Sequence, residues 1–261
     1  MSGQGLPLAI RLDVMFRSLL LQSCWSFERM QSLGFACCVQ PWLRRCYRGE
    51  PEEGRRALAR HQEYFNTQPY MSPVIVGMVC ALEEDAAKTP AAERSVKIAR
   101  LKALKTALSC TLAAFGDAFF WDGLRPLCAA LAAALLLAVS PRGWPSSLAW
   151  PLAAGLACYN IPVFVARWAG LGFGYRRAAA IAGALKELPL RQAIRAVRLT
   201  GLAAALAATA LLLRCAPAER RLFAVLALAS FAGFKAIPVS SYRLYAGSCA
   251  AGVLAAAAGW L

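Results

Sequence analysis

The sequence is poor in metal-binding residues and lacks their usual spacing. Its 261 residues include a single histidine, His61, and the ten cysteines form no CxxC pair. Structural zinc sites need several such ligands at close, fixed spacing, so a metal site is not expected. No other cofactor is expected either. Most of the cysteines lie in apolar runs, where a thiol acts as a small hydrophobic group, and a disulfide framework is not expected in lipid or cytosol.

Long stretches also lack any charged side chain, and 59% of the residues are hydrophobic. A helix needs about 20 apolar residues to span a bilayer, a length that two of these stretches approach and the shorter ones reach only with flanking residues. An Ala-rich soluble helical bundle is the alternative, which so many uncharged stretches in one half of a chain disfavour. We therefore predict an all-α integral membrane protein with about five transmembrane helices. The uncharged stretches are 127–139, 146–166, 199–213, 222–234 and 244–261.

Negative charge is scarce, with 14 acidic against 29 basic residues and a net charge of +15. Nothing resembling a phosphate-binding Gly loop or an aromatic-basic repeat supports nucleic acid as the partner. With a basic N-terminal half inside, successive crossings place 167–198 and 235–243 inside as well, as the positive-inside rule expects. Residues 1–30 show no short apolar run followed by a cleavage site. The sequence predicts a multi-pass protein of the cytoplasmic (inner) membrane, with a cytoplasmic N-terminus and anionic lipid at its basic surface.

Residues 1–60 are predicted to form amphipathic helices at the cytoplasmic membrane surface. From Asp13, a plausible N-cap, apolar residues recur through Met30, and Trp25 suits a membrane interface. A surface helix packed on a protein core fits the same pattern. Pro51, followed by two glutamates, opens a second helix, which should end before Pro69.

Residues 61–126 contain two short, polar-punctuated apolar runs, ahead of a transmembrane region at 127–261. The run 70–82 is too short to span comfortably, and a re-entrant or half-helical element lining a cavity is the better interpretation. It ends at Glu83, Glu84 and Asp85, which are expected to form a solvated acidic cluster. The second run, 106–116, is interrupted by Gly116-Asp117 and continues to Arg125-Pro126.

Four sequence blocks, in order, resemble those of one known family. They are QSCWSFERMQSLGF at 22–35, RHQEYFNTQPY at 60–70, ALEE at 81–84 and FGDAFFWDGLRP at 115–126. They are similar to the W-x-F-E-R-M-Q-x-L-G, R-H-x-E-F-F-N-T-x-P, A-L-E-E and G-D-P-x-F-W…R-P segments of the IID component of mannose-family sugar phosphotransferase systems. Gly174-Tyr175 adds a further, shorter match.

The resemblance implies a non-catalytic permease subunit rather than an enzyme. Family members translocate a hexose or amino-hexose together with a IIC membrane subunit, while cytoplasmic IIA and IIB (or IIAB) phosphocarrier proteins phosphorylate the sugar. No phosphoryl acceptor is then expected in this chain, because His61 lies in the R-H-x-E block and not in a carrier-domain loop. A symmetric oligomer of IIC–IID pairs is expected.

Three departures from the family pattern leave a second function open. Ala118 stands where the family has proline after Gly-Asp, and the approach to that pair at 109–114 lacks the family's Gly and Pro residues. The uncharged runs 199–213 and 222–234 are separated only by 214–221, where the family usually has a longer polar insertion. A regulatory or scaffold membrane protein derived from the family, which no longer transports, is the alternative.

Two clusters of polar residues are the candidate sugar contacts, because sugar hydroxyls call for amides and carboxylates and the ring for an aromatic face. For Asn66 and Thr67, helix capping is the alternative role. For Asp117, a structural role competes with sugar binding. Structural or gating roles are predicted for His61, Glu28, Arg29, Asp122 and Arg125. A pair between Asp122 and Arg125, spaced i, i+3, is favoured over sugar binding by Arg125. The candidate substrate residues are Asn66, Thr67, Gln68, Asp117 and Trp121.

Overall fold

The computed structural model describes residues 5–139 and 149–215, together with residue 250, and the regular secondary structure of these residues is helical, with no strand among them. The helices are α1 (Leu8–Leu19), α2 (Ser32–Cys46), α3 (Pro51–Arg60), α4 (Ser72–Ala87), α5 (Ala91–Gly116), α6 (Arg125–Val139), α7 (Ala149–Arg177), α8 (Ile181–Glu187) and α9 (Leu190–Cys215). A π-helical segment, Asp117–Leu124, joins α5 to α6, and a 3-10 turn, Ala178–Ala180, joins α7 to α8.

The N-terminal amphipathic helix is present but its predicted bounds are wrong. It begins after Pro7 and ends at Leu19, whereas the sequence pattern suggested a start at Asp13 and a continuation toward Met30. Asp13 lies inside the helix and pairs with Arg17 one turn later, at 2.7 Å. The chain then turns through residues 20–31, where Met30 has a positive φ of 53° that no helix accommodates.

One face of α1 is apolar and not covered by the rest of the described chain. Leu8 and Phe16 are 64% and 66% exposed, and Leu12, Leu19 and Leu20 lie on the same side. The opposite face contributes Val14 and Ser18 to the interior. The helix therefore packs on the protein with one face and keeps an apolar stripe exposed within the described chain.

Helix α4 is the centre of the described protein. It is too short to span a bilayer comfortably, and residues 72–80 are buried by α2, α5 and α7. Its contact with α7 is close because both helices carry glycine at the crossing. A Cβ on Gly174 would lie 1.9 Å from the carbonyl oxygen of Val74, and one on Gly77 would lie 2.1 Å from that of Leu171. Helix α4 therefore has the character of a core helix.

A single helical course runs from Ala91 to Val139, and the polar interruption at Gly116-Asp117 does not break it. The backbone widens there into the π-helical segment, which keeps the main chain hydrogen-bonded. The helical hairpin of this region lies before Gly116-Asp117, where α4 turns back into α5. Helices α4 and α5 pack against each other around the short connection 88–90, and the Thr67 end of the preceding loop reaches Ser109 on α5.

Three helical courses are long and apolar enough to cross a membrane, namely Ala91–Val139, Ala149–Glu187 and Leu190–Cys215. They contain the predicted runs 127–139 and 199–213 and the described part of 146–166. Helix α6 packs between α7 and α9, and α9 also contacts the π-helical segment. The predicted runs 222–234 and 244–261, apart from residue 250, lie outside the described residues.

Candidate functional site

The candidate site is built around the irregular loop between α3 and α4. The sequence suggested that α3 runs almost to Pro69, but it ends at Arg60, and residues 61–71 form a loop. Gln31 holds this loop by both ends of its amide. Its Nε2 donates to the carbonyl of Thr67 at 2.8 Å, and its Oε1 accepts from the N–H of Thr67 at 3.1 Å. A side-chain amide thus replaces the backbone partner that a helix would supply.

Thr67 and Gln68 are buried against α5, while Asn66 is exposed. The hydroxyl of Thr67 donates to the carbonyl of Ser109 at 3.0 Å. The Oε1 of Gln68 accepts from the N–H groups of Tyr70 and Met71, at 2.7 and 3.2 Å, so this side chain caps the start of the following turn. Its Nε2 is buried without a partner among the described residues. A buried donor without a hydrogen-bond partner costs free energy. This amide is therefore the group of the loop that is available to bind a ligand.

Close packing at Gly116 brings α5 to the loop. A Cβ at Gly116 would lie 2.6 Å from the Cβ of Gln68, so only glycine admits this approach. Asp117 follows immediately and is half-buried, at the first position of the π-helical segment. Gln68 of the first predicted cluster therefore packs against the backbone position that directly precedes Asp117.

Sequence reasoning missed an aromatic and cationic cluster next to this loop. The ring of Tyr70 packs edge-on against Phe120 and Tyr159, and the hydroxyls of Tyr70 and Tyr159 are 3.1 Å apart. The guanidinium of Arg167, buried in α7, lies 5.2 Å from the centre of the Tyr70 ring and donates to the carbonyl of Ser18 at 2.7 Å. One signal was available, because a charged residue directly after an apolar run is a functional candidate by default.

His61 belongs to a buried charge network, and Glu83 is its centre. The expectation that Glu83 is solvated is wrong, because its side chain is 0% exposed. Its carboxylate accepts hydrogen bonds from Arg60 at 2.8 Å and from Tyr47 at 2.7 Å, and one oxygen lies 2.8 Å from Nε2 of His61. Glu83 is buried because α4 is enclosed at this point, which a single sequence does not reveal.

Burial and the hydrogen bonds of the network shift the pKa values of Glu83 and His61. Burial by itself would raise the pKa of Glu83, but the hydrogen bonds from Arg60 and His61 outweigh it and lower that pKa to about 2. Burial lowers the pKa of His61, against the raising effect of Glu83, and so favours the neutral imidazole. A second cation, Lys105, lies next to this network. Its Nζ is 4.5 Å from the centre of the Phe35 ring and 5.3 Å from that of Phe65.

The suggested pairing of Asp122 with Arg125 is wrong. Asp122 lies 3.4 Å from Arg198 of α9, and both side chains are more than half exposed. The π-helical segment explains this, because its wider turn removes residues three apart from a common face. Arg125 is exposed, and Trp121 is 39% exposed rather than enclosed with Gln68.

Glu28 and Arg29 are exposed, and their segment contacts the loop through backbone atoms. The N–H of Phe65 donates to the carbonyl of Arg29, and the N–H of Gln31 donates to the carbonyl of Phe65 at 2.8 Å. Two of the recognisable sequence blocks, 22–35 and 60–70, are thus in direct contact. No described side-chain partner accounts for the charges of Glu28 and Arg29.

Comparison with known proteins gives one consistent relationship. Residues 9–215 match the family described as PTS system mannose/fructose/sorbose family IID component. The mannose-specific EIID component of Escherichia coli K12 is 36% identical over 164 residues, which are 63% of this chain and 54% of that protein. The sorbose-specific EIID component of Lacticaseibacillus casei is 34% identical over 160 residues, 61% of this chain and 52% of that protein. The chain thus spans about half the length of the curated relatives it matches.

Two solved structures are similar over nearly the whole chain. One, described as a membrane protein, has a TM-score of 0.71 at 26% identity and covers 98% of both chains. The other belongs to a complex of the mannose transporter ManYZ with microcin E492, with a TM-score of 0.58, 26% identity and 99% of both chains covered. With its helical fold and three apolar helical courses, the chain is an all-α integral membrane protein that belongs to the IID components of the mannose/fructose/sorbose family of phosphotransferase systems.

Proposed function

We propose that this chain is a sugar permease subunit, which carries a hexose or amino-hexose across the cytoplasmic membrane together with a IIC subunit. One observation carries the proposal. The irregular, polar loop that contains Asn66–Gln68 lies against Ser109 and Gly116, in the apolar part of the long helical course 91–139. Irregular backbone at membrane depth is tolerated where protein buries it or where it lines a cavity, and discontinuous elements of this kind form transporter substrate sites.

The polar groups at this place suit a sugar. Asn66 offers an exposed amide, and Gln68 holds a donor that no described group accepts. Asp117 lies beside the same glycine contact and offers a carboxylate. Thr67 uses its hydroxyl and both backbone groups internally, so its role in this proposal is to position its two neighbours. Trp121 lies farther along the π-helical segment, where its exposed ring is available to a substrate or to the partner subunit.

The phosphoryl chemistry is assigned to separate IIA and IIB proteins. His61 is 0% exposed and one of its ring nitrogens is occupied by Glu83, so a phosphocarrier has no access to it in this conformation. A structural or gating role for His61 follows. In the same proposal, residues 1–60 form the interfacial part, 61–126 the translocation segment and 127–261 the transmembrane region, with a cytoplasmic N-terminus. Pairs of IIC and IID are expected to assemble symmetrically.

The test is sugar uptake in cells that lack their own mannose-family permease and express this chain with its IIC, IIA and IIB proteins. Asn66→Ala and Gln68→Ala should each lower uptake of the cognate radiolabelled hexose about tenfold or more, which corresponds to the loss of one or two hydrogen bonds. Gln192→Ala is the matched control, because that amide is exposed at the start of α9 and has no described hydrogen bond. Co-purification of IIC with each variant confirms assembly.

A scaffold without transport activity remains the competing function, and the internal hydrogen bonds of Thr67 and Gln68 favour it. It predicts that Asn66→Ala and Gln68→Ala assemble with IIC, and that their uptake of every hexose tested equals that of the Gln192→Ala control. That outcome would overturn the permease proposal.

A further inference from the structure

Two arginines from different helices, Arg11 on α1 and Arg176 on α7, lie close together. Their closeness is visible at Gly172 on α7, where a Cβ would lie 3.1 Å from Nη1 of Arg176 and 3.3 Å from Nη2 of Arg11. Glycine therefore leaves the space in which the two guanidinium groups approach each other. Burial lowers the pKa of Arg11, and the positive charge of Arg176 lowers it further.

No carboxylate within the described ranges pairs with either guanidinium. Arg11 donates to the carbonyl of Trp168 at 2.9 Å, and its guanidinium stacks 3.9 Å from the centre of that indole ring. A cleft between the end of α4 and the end of α7 lies beside Arg176, and its acidic residues Glu84 and Asp85 already have partners. Glu84 pairs with Lys88 and accepts from Tyr175, and Asp85 pairs with Lys97 at 2.8 Å. The Arg11–Arg176 pair is thus an uncompensated positive site.

The location of the pair indicates which anion it meets. Arg11 is on α1, whose uncovered stripe of Leu8, Leu12 and Phe16 is suited to the hydrocarbon edge of a bilayer. Trp168, Gly172 and Arg176 follow at four-residue spacing on one side of α7, at the basic end of an apolar helical course. A tryptophan next to arginines at the end of such a helix is typical of the headgroup region.

We propose that Arg11 and Arg176 bind the phosphate of an anionic membrane lipid, such as phosphatidylglycerol. Two guanidinium forks present parallel N–H donors to phosphate oxygens, a geometry that arginine provides and lysine does not. Basic pockets next to helices on the cytoplasmic side commonly hold anionic headgroups. The acyl chains lie along the apolar stripe of α1. This binding fixes α1 against α7, and it does not depend on whether the chain transports a sugar.

The experiment measures the thermal midpoint of the detergent-solubilised, delipidated complex with its IIC subunit. Added dioleoyl-phosphatidylglycerol should raise the midpoint by about 3 °C more than dioleoyl-phosphatidylcholine does. The double variant Arg11→Gln/Arg176→Gln should lose this difference. The control Arg48→Gln/Arg100→Gln removes the same charge from two exposed arginines without a described ion pair, and it should keep the difference.

Three results would overturn the proposal. The first is an equal response to both lipids in the wild-type complex. The second is a response to inorganic phosphate alone that matches the response to phosphatidylglycerol, since the site would then take a free anion. The third is loss of IIC from the double variant in every lipid, which would assign the pair to a carboxylate of that subunit. If the double variant fails to fold, Arg176→Gln alone serves, because Arg176 is exposed and should lose only the lipid response.

Discussion

At the residue scale, the buried carboxylate of Glu83 organises the part of the chain that precedes the long helices. It joins α2, α3 and α4 through Tyr47, Arg60 and His61. Glu83→Gln keeps the shape, but it leaves the Arg60 guanidinium, which is 8% exposed, with Glu53 as its one remaining carboxylate among the described residues. Breaking a buried pair in this way costs about 3 kcal/mol. A fall of several degrees in the thermal midpoint of the purified complex is the expected result.

The matched change on the surface is Glu52→Gln, which removes an exposed i, i+3 pair with Arg55. Exposed pairs contribute little, so the midpoint should stay close to that of the wild type. Equal effects of the two substitutions would contradict the role assigned to Glu83.

The pH dependence of stability should reveal His61. Its pKa in the folded protein is below the ordinary value of 6.5, because burial disfavours the charged imidazolium. The unfolded chain therefore binds a proton below pH 6.5 that the folded chain does not bind, and stability falls as the pH decreases. The charged groups that face His61 are Glu83 on α4, Arg60 at the end of α3 and Lys105 on α5.

The check uses thermal midpoints of the wild type and of His61→Gln, which keeps a donor toward Glu83. His61 is the chain's only histidine, so the substitution removes the whole imidazole contribution. Between about pH 7 and pH 5 the midpoint should fall less in His61→Gln than in the wild type. Parallel curves would show that His61 titrates normally. The loss due to Glu83 comes at lower pH, between its ordinary value of 4.5 and about 2.

Single residues were predicted unevenly from the sequence. The sequence brought Thr67 and Gln68 into the candidate site because proline and polar residues interrupt an apolar pattern there. The pairing of Asp122 could not be predicted, because its partner lies on α9, far along the chain. The burial of Glu83 could not be predicted either, because α4 is enclosed by helices that are distant in the sequence. The uncompensated Arg11–Arg176 pair joins residues 165 positions apart along the chain, and no local pattern indicates it.

At the scale of elements, the crossing of α4 and α7 is a close backbone contact that depends on two glycines. The atoms that a Cβ at Gly174 or Gly77 would strike are carbonyl oxygens of the opposite backbone, so the two helices would have to separate. We expect Gly174→Ala to destabilise the protein by about 3 kcal/mol and to lower the fraction that elutes as a monodisperse complex in gel filtration.

Gly183→Ala is the control for this prediction, because nothing lies within 4 Å of the position a Cβ would take in α8. Alanine is a better helix former than glycine, and this change should be neutral or stabilise the protein by about 0.5 kcal/mol. A normal elution profile and midpoint for Gly174→Ala would show that the crossing is looser than described.

Elements with strong local signals were predicted best. The start of α3 at Pro51 is confirmed, because proline is favoured in the first turn. Helix α2 was not identified, since its buried face depends on packing against α1 and α4 and it contains Pro41. The continuous course from 91 to 139 was divided in the sequence interpretation because a polar Gly-Asp pair looks like a break, and a π-helical widening has no sequence signature.

At the scale of the whole molecule, the distribution of charge and the helical courses together define a topology that can be tested. The corner between α7 and α9 carries Arg176, Arg177 and Lys186, whereas the segment between α6 and α7 carries Arg142 alone. The positive-inside rule therefore predicts that the first lies on the cytoplasmic side and the second outside. This assignment also puts the Arg11–Arg176 pair and the cytoplasmic phosphocarriers on the same side of the membrane.

Reporter insertions at two positions decide the topology. Alkaline phosphatase folds only outside the cytoplasm, where its disulfides form, so an insertion after Arg142 should be active and one after Leu188 inactive. Green fluorescent protein at the same two positions should give the opposite pattern. Phosphatase activity after Leu188, with or without activity after Arg142, would contradict the proposed orientation. The arginine pair would then lie at the outer surface of the membrane.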